Sequence, residues 1–297
     1  MSDLELRAGA SPADAPRTAR AGDGRLGGRR RMPRPSVVLA AAFVGFLLLA
    51  VAWPGLLETA PPDAISPAEA FQPPSASHWF GTDESGRDVY SRVVAGTAPS
   101  LLIGVLATAI GLALGLLLGG IAALGGRVLD FLIGRVNEVL FAFPGILLAL
   151  LVIVLWGPGP VTATVAVGLS TAPGYARIIR GQLLAIRGSG YVEAARVLGH
   201  GRAKILAAHI LPNALVPIAA LATLGIGQAV VWASSLSFLG LGAQPPAAEW
   251  GAMLSAGRTY LGTAWWLTVF PGLMIVATTL ATTVLGRALT ARDGARR

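Results

Sequence analysis

Six blocks of apolar residues, nearly free of charge, alternate along the chain with polar segments. A helix needs roughly 20 apolar residues to cross the hydrocarbon core of a bilayer, or fewer where neighbouring helices bury it. Pro173 and Gly174 interrupt the fourth block, which gives the weakest signal. The pattern predicts an all-α integral membrane protein with six transmembrane helices, at about residues 37–57, 99–124, 137–156, 160–177, 213–236 and 264–286.

Composition supports a bilayer as the solvent. Apolar residues make up 54% of the chain and charged residues 13%, whereas soluble domains carry about 25% charge. Arginines precede the first block, as in a signal peptide, but residues 37–57 exceed the usual apolar core of about 7–15 residues. We therefore expect a retained first span.

The distribution of positive charge predicts the orientation. With the N-terminus in the cytoplasm, 20 of the 23 Lys and Arg residues fall in the inner segments, as the positive-inside rule requires. Both termini and the connection 177–212 are then cytoplasmic, and the segments 58–98 and 237–263 face outward. The reverse orientation would place these basic segments outside and so would violate the rule.

The chain divides into four parts along its length. Residues 1–34 are rich in Ala, Gly, Pro and Arg and predict a disordered basic cytoplasmic tail. Residues 35–98 hold the first transmembrane helix and an outer segment. Residues 99–290 form the helical core with its cytoplasmic loop 177–212, and 291–297 form a second cytoplasmic tail.

Four glycines recur in the second span at spacings of seven, four and four residues: Gly104, Gly111, Gly115 and Gly119. These spacings place them on one face of a helix. Small residues let helix backbones approach closely in a membrane. The stripe predicts helix packing within the subunit in preference to a groove for a substrate.

Several kinds of chemistry are missing from the sequence. The net charge of +8 would suit a nucleic-acid partner, but the arginines lie in tails and between apolar blocks, so we expect none. There is no cysteine, and the only lysine, Lys204, does not belong to a phosphate-binding loop. The three histidines lie outside the spans, which argues against an intramembrane metal site.

Acidic residues in the first outer segment could suggest a calcium loop. Asp83, Glu84 and Asp88 do not have the spacing of an EF-hand. Turn-forming and helix-starting roles are the better interpretation of these side chains.

The spans also lack a charge relay. Ion-coupled carriers bury ionisable groups near the midplane of the membrane. Here only Arg135 and Glu138 approach a span interior, close to its inner end, where they can pair across one helical turn. With no nucleotide site either, we expect a partner ATPase to supply the energy.

The longest inner connection predicts a helical hairpin. Ser189 can start its first helix, and Glu193 lies in the first turn, where the helix dipole favours an anion. Gly199 suits the left-handed position that ends a helix. A second helix is expected over Arg202–Ile210, with Pro212 limiting its continuation.

The hairpin combines apolar and basic residues. We expect an apolar ridge from Leu198, Ile205 and Leu206, with Arg196, Arg202 and Lys204 around it. An apolar helical surface of this kind is typical of a docking element for a soluble partner.

The hairpin carries, in order, Glu193-Ala194-Ala195, Gly199, and His209-Ile210-Leu211-Pro212. This pattern resembles the EAA loop of prokaryotic ABC importer permeases, where Ile usually occupies the position of His209. A histidine there is frequent in the peptide-importer branch. Three further segments resemble the second permease of oligopeptide and dipeptide importers, and the resemblance covers about residues 35–290: 81–92, 173–177, and 237–246 with Trp250-Gly251.

The resemblance implies a type I importer fold in which a homologous second permease lies beside this chain. Two ATP-binding subunits holding ATP and Mg would dock beneath, and an extracytoplasmic binding protein would deliver substrate across the bacterial plasma membrane. The chain itself would bind no cofactor and hold no catalytic residue. By the same resemblance the ATPase-coupling loop comprises Tyr191, Glu193, Ala194, Ala195, Arg196, Leu198, Gly199, Arg202, Lys204 and Pro212.

A permease for di- or oligopeptides is the leading interpretation. Nickel or another small solute remains open within the same class, since the binding protein largely sets specificity. A self-powered secondary transporter would need the buried charges that the spans lack. A membrane-embedded enzyme would need a nucleophile and base or a metal cluster.

Overall fold

The computed structural model describes residues 35–294, with side chains described as far as residue 291. Expectations for the tail 1–34 and for residues 295–297 lie outside the described residues. Within them there is no strand, only an isolated bridge between Thr82 and Asp88. The helices are α1 (Pro35–Ala52), α2 (Pro54–Leu57), α3 (Val89–Ala95), α4 (Thr97–Leu124), α5 (Arg127–Ala142), α6 (Gly145–Trp156), α7 (Pro160–Arg187), α8 (Gly190–Val197), α9 (Arg202–Ile205), α10 (Leu211–Phe238), α11 (Trp250–Gly257) and α12 (Trp266–Gly294).

Four helical segments of the described chain are long and apolar enough to cross a membrane: Pro35–Ala52, Val89–Leu124, Arg202–Phe238 and Trp266–Ala291. The pair α5 and α6 makes a fifth if its bent halves form one span. The predicted all-α membrane fold is therefore confirmed. The third and fourth of the six predicted spans, however, differ in form from the prediction.

The third predicted span, 137–156, is broken in two. Helices α5 and α6 meet at an angle of 89°, with Phe143 in an extended conformation at the end of α5. Pro144 explains the break, because proline disfavours the helical conformation of the residue before it and cannot donate a backbone hydrogen bond. The apolar pattern alone carried no sign of this change of direction.

The fourth predicted span, 160–177, is too short. Helix α7 continues through Pro173 as far as Arg187, and its composition does not place it among the apolar spans. It packs most extensively against α4 and also against α6 and α10. A helix that its neighbours shield from lipid does not need an apolar surface all round.

Helices α4 and α7 approach closely along the predicted glycine stripe. Gly111, Gly115 and Gly119 all face α7. A Cβ atom on Gly115 would lie 2.5 Å from the Cβ of Tyr175, and one on Gly119 would lie 2.6 Å from the carbonyl oxygen of Ala176. At these two positions the contact leaves no room for a side chain.

The stripe does not face a single helix along its length. Gly104 faces α10, where an added Cβ would lie 2.5 Å from Cγ2 of Val230. A spacing of seven or four residues does not match 3.6 residues per turn, so the stripe drifts around α4. The neighbouring Gly120 has open space around it.

One end of the bundle, here called the loop end, holds residues 53–88 and 239–265. Its two segments are joined across the fold. The Arg92 guanidinium donates a 2.6 Å hydrogen bond to the carbonyl oxygen of Pro246, and the indole of Trp266 donates to the carbonyl oxygen of Thr82. The rings of Phe71 and Tyr260 lie 4.8 Å apart.

Buried charge stabilises the same end. Asp83 Oδ2 lies 2.6 Å from Nε of Arg87 and 3.7 Å from Nε of Arg92, and all three side chains are buried. Arg92 also reaches the exposed Asp63 at 3.2 Å. The short loop thus surrounds one carboxylate with two guanidinium groups.

The acidic residues of this loop have the predicted local roles. Asp83 Oδ1 accepts hydrogen bonds from the backbone amides of Ser85 and Arg87, which closes a turn. Asp88 caps the N-terminus of α3 by accepting from the amide of Ser91. The turn-forming and helix-starting interpretation is confirmed for Asp83 and Asp88, whereas Glu84 pairs with the Arg87 guanidinium at 2.9 Å.

The opposite end, here called the hairpin end, holds residues 125–127 and 188–201. Arg187 at the end of α7 donates to the carbonyl oxygen of Ala123 near the end of α4. Helix α12 runs antiparallel to α10, since Gly286 packs against Leu224 and Ala220. The last turns of α12 therefore lie at this end too.

Candidate functional site

Helix α8 follows α7 after a short turn at the hairpin end. It begins at Gly190 with Ser189 in the N-cap position, as predicted. The Ser189 hydroxyl donates to the carbonyl oxygen of Ile186 and does not cap the helix through its side chain. Glu193 lies in the first turn of α8, where the helix dipole favours its charge.

One face of α8 anchors the hairpin to the bundle. Val192 and Ala195 are buried in a cluster with Ile179 and Leu183 of α7 and Ile210 below α10. Burial of apolar side chains at two positions three residues apart fixes the rotation of so short a helix about its axis. The opposite face is thereby turned to the solvent.

That opposite face carries exposed apolar side chains, here called the exposed patch: Tyr191, Ala194, Val197 and Leu198. Val197 is 84% exposed and Leu198 is 75% exposed. Isolated exposed apolar residues are ordinary, but a contiguous group marks an interaction surface. Sequence reasoning named three of these residues and missed Val197, which the spacing from Ala194 could have indicated.

The predicted apolar ridge is corrected in one respect. Ile205 is only 6% exposed and packs inside the bundle, and Leu206 is partly buried with it. Only Leu198 of the three predicted ridge residues lies on the surface of the hairpin. The sequence pattern could not distinguish the inward from the outward apolar side chains of two connected short helices.

Gly199 ends α8 in the predicted left-handed conformation, with φ of +77°. Its amide donates to the carbonyl oxygen of Arg196, and the amide of His200 donates to that of Ala195. These two hydrogen bonds form a Schellman motif, which glycine favours because it has no Cβ. An added Cβ at Gly199 would meet no other atom within 4 Å, so only the backbone conformation constrains this position.

The second predicted helix does not stop before Pro212. Residues Arg202–Phe238 form one continuous helical segment, with a π-helical stretch at Leu206–Ile210. Proline cannot donate to the carbonyl four residues earlier, and the wider π-turn accommodates this loss. The side-chain amide of Asn213 donates to the carbonyl oxygen of His209 at 2.7 Å.

His209 replaces the usual isoleucine and packs between two rings. Its imidazole lies parallel to that of His200 at 6.0 Å between centroids and 6.5 Å from the ring of Tyr191. Lys204 Nζ lies 3.4 Å from Nε2 of His200. The histidine thus connects both arms of the hairpin through ring contacts.

Charged side chains surround the exposed patch. Glu193, Arg196, Arg202 and Lys204 are all exposed, and Arg196 donates only a long hydrogen bond to the carbonyl oxygen of Arg187. Three cations and one anion therefore lie around an apolar centre. A surface of this kind fits a cleft in another protein that has an apolar floor and acidic edges.

The described part of the chain offers no evident metal centre. Among residues 35–294, no group of three or more His, Asp or Glu side chains is placed to hold a metal ion.

The helical membrane bundle has the type I fold of ABC importer permeases. The fold is similar to that of the methionine ABC transporter MetNI in an inward-facing conformation, with a TM-score of 0.52 and 21% identity over 66% of this chain and 95% of that chain. It is also similar to an amino acid ABC transporter, with a TM-score of 0.56 and 19% identity over 68% and 94% of the two chains.

Residues 111–292 match the family of binding-protein-dependent transport system inner membrane components, and the chain belongs to this family. It is 39% identical to the dipeptide transport system permease protein DppC of Alkalihalophilus pseudofirmus, over 86% of this chain and 83% of the relative. It is 40% identical to the probable D,D-dipeptide transport system permease protein DdpC of Escherichia coli, over 85% of each. It is 42% identical to the glutathione transport system permease protein GsiD of Shigella flexneri, over 88% and 86%.

The resemblance found in the sequence is thereby confirmed. The chain is a non-catalytic permease subunit of an ABC importer. The four motifs that carried the resemblance lie at both ends of the bundle: 81–92 and 237–246 at the loop end, 173–177 within α7, and the hairpin at the other end.

Proposed function

We propose that this permease imports short peptides across the bacterial plasma membrane, side by side with a homologous second permease. The solutes named for its relatives are dipeptides, D,D-dipeptides and glutathione. These solutes are all short chains with amide bonds and free carboxylates. A short peptide is therefore the substrate class that the relatives have in common.

The exposed patch on α8 is the observation that carries the mechanism. A subunit without a nucleotide site must receive the ATPase stroke through a surface. The patch is anchored from behind by Val192 and Ala195, so a force applied to it is transmitted to α7 and α10. We infer that α8 docks into a cleft of an ATP-binding subunit and transmits its movement to the spans.

We infer the remaining partners from the family to which the chain belongs and from the exposed patch. Two ATP-binding subunits hold ATP and Mg and contact the hairpin end of each permease. An extracytoplasmic binding protein delivers the peptide to the loop end. This chain supplies the membrane path and the docking helix, and binds neither cofactor itself.

The hairpin end is cytoplasmic in this proposal. The basic segments 125–136 and 177–212 and the end of α12 lie together at that end, which supports an orientation with both termini inside. The sequence has no cysteine, so single-cysteine probes report without background. We expect an impermeant maleimide to label Ser75→Cys from outside intact cells and to miss Ala203→Cys; the opposite pattern would invert the topology.

A matched pair of substitutions at Gly199 tests the docking role. Valine tolerates the left-handed conformation poorly, whereas asparagine adopts it readily. We expect Gly199→Val to reduce dipeptide uptake about tenfold or more and to lower co-purification of the ATP-binding subunit, because a displaced α8 no longer matches its cleft. Gly199→Asn should retain most of the uptake.

Membrane abundance separates coupling from folding in this experiment. Both variants should insert and pair with the second permease, since the position has open space around it. Full uptake by Gly199→Val would contradict the coupling role. If both Gly199→Val and Gly199→Asn were lost from the membrane, the hairpin would instead be a purely structural element.

A further inference from the structure

A cavity of about 430 Å³ lies between α5 and α7. It is here called the arginine cavity, because four arginines line it. It lies in the half of the bundle near the hairpin end and is open to its surroundings, since Arg127, Arg135 and Arg177 are exposed. Its lining consists of Arg127, Asp130, Phe131, Gly134, Arg135, Asn137, Glu138, Arg177 and Arg180.

The charges of the arginine cavity do not cancel. Asp130 accepts hydrogen bonds from Arg180, one of them at 2.6 Å, and Glu138 pairs with Arg135 at 2.6 Å. Among the lining residues this leaves Arg127 and Arg177 without a carboxylate. The cavity therefore has an excess of two positive charges and attracts an anion.

A buried amide in the same cavity lacks a partner. Asn137 is 8% exposed, and its Oδ1 atom accepts no hydrogen bond. A buried polar group without a partner is unusual in proteins. Rotation about the last side-chain torsion brings either the donor or the acceptor of the amide to the cavity, so this side chain complements a peptide bond.

A second cavity of about 260 Å³ lies at the α5–α6 bend, and one contact joins its lining to that of the arginine cavity. Phe141 lines the second cavity, and the Arg177 guanidinium lies 4.2 Å from the centre of its ring. On α7, Ser170 and Gly174 line the bend cavity two turns and one turn before Arg177, respectively, at spacings that put all three on one face. A solute leaving the bend cavity towards the hairpin end therefore meets Arg177.

We propose that the arginine cavity is a binding site for the carboxylate of the transported peptide, with Arg177 and Arg127 as its cationic partners. Arg177 binds the C-terminal carboxylate, and the Asn137 amide pairs with the adjacent peptide bond. Guanidinium groups suit this ligand because they bind carboxylates through two parallel hydrogen bonds. The inference rests on the proposed function, since it assigns a subsite on the path of the same substrate.

The test measures binding directly, without the binding protein. The assembled permease and ATP-binding complex is placed in nanodiscs of neutral phosphatidylcholine, and binding of labelled dialanine is measured by equilibrium dialysis. We expect dialanine to bind about tenfold more tightly than dialanine amide, as is usual when a charge-assisted hydrogen bond is lost. Arg177→Gln should weaken dialanine binding to the level of the amide and leave binding of the amide unchanged.

Matched variants keep the interpretation specific. Arg177→Lys retains the charge and should recover part of the preference for the free acid. Arg287→Gln removes an exposed arginine of α12 outside the cavity and should behave as the wild type. Arg127→Gln provides a second variant in the cavity and should reduce the preference as well.

The outcomes separate this site from the function on which it rests. A wild-type complex that imports dialanine with its binding protein, yet binds acid and amide equally or is unaffected by Arg177→Gln, overturns the site and keeps the function. A complex that imports no peptide overturns the function itself. Binding of short-chain phosphatidylglycerol in place of dialanine, dependent on Arg177, would assign the cavity to a lipid headgroup and overturn the proposal.

Discussion

The two ends of the bundle satisfy their polar and apolar groups in different ways. At the loop end, buried arginines, a buried carboxylate and tryptophan N–H groups find partners within the chain, across as many as 184 residues of sequence in the case of Trp266 and Thr82. At the hairpin end, Val197 and Leu198 contact water and the surrounding cations have few partners. The buried polar groups of the loop end are thus paired within the chain, although apolar side chains such as Trp53, Leu56 and Ile65 are exposed there as well. At the hairpin end an exposed apolar patch lies beside cations that have few partners.

This difference indicates where each kind of partner acts. A surface whose buried polar groups are already paired can receive a binding protein and release it again without reorganising its own core. An exposed apolar patch with a rigid anchor is suited to a more permanent contact, since burying it gains free energy. The proposed ATP-binding subunits therefore belong to the hairpin end.

The largest effect on stability is expected from Asp83→Asn at the loop end. The substitution keeps the side-chain shape but removes the buried anion that Arg87 and Arg92 share, which leaves them the more exposed carboxylates of Glu84 and Asp63. Breaking a buried ion pair from one side typically costs about 3–5 kcal/mol. We expect a clear fall in the melting temperature of the purified chain and in its membrane abundance.

The matched control is Asp63→Asn. Asp63 contacts the same Arg92 at 3.2 Å, but its side chain is 84% exposed. Exposed ion pairs contribute about 0–1 kcal/mol, so its melting temperature should change little. Equal effects of the two substitutions would show that burial of charge does not stabilise the loop end.

A smaller loss of stability is expected from a substitution in the middle of the bundle, between the two ends. Gly119→Ala would place a Cβ 2.6 Å from a backbone oxygen of α7. Forced separation of packed helices costs about 1–3 kcal/mol. Gly120→Ala, one residue further along the same helix, meets no atom within 4 Å and should be neutral or slightly stabilising. Thermal unfolding of both variants in one detergent measures the difference, and indistinguishable variants would remove the glycine stripe from the packing of α4.

The sequence predicted those parts of the fold that depend on local pattern. Helices α1, α4, α10 and α12 follow from apolar runs without charge, and the φ of Gly199 follows from its place after a short helix. The break at Pro144 was missed because a run of apolar residues gives length but not direction. Helix α7 was cut short because its burial by other helices relaxes the requirement for apolar residues.

The candidate sites likewise divide into features that local sequence predicts and features that depend on the whole fold. Helix α8 was predicted because its start, end and charges are encoded within about ten residues. The bond between Arg92 and Pro246 and the arginine cavity between α5 and α7 were not, since each depends on segments brought together by the whole fold. Arg177 was noted only as part of a motif, and its position over Phe141 depends on the packing of α5 against α7.

The smallest effect on stability is expected at the exposed patch, where the contrast between the two ends is sharpest. The double substitution Val197→Ser and Leu198→Ser removes apolar surface that already contacts water, so the free energy of unfolding should change by less than about 0.5 kcal/mol. Val192→Ser on the anchored face of the same helix buries a hydroxyl in an apolar cluster and should cost about 1–3 kcal/mol.

For binding of the ATP-binding subunit we expect the opposite order of effects. The double variant should lose more binding than Val192→Ser, because the patch supplies the contact and the anchor only supports it. Co-purification and melting temperature, measured together, decide the point: an exposed double variant that unfolds more easily than Val192→Ser would mean that the patch is covered by this chain itself and is not free to receive a partner.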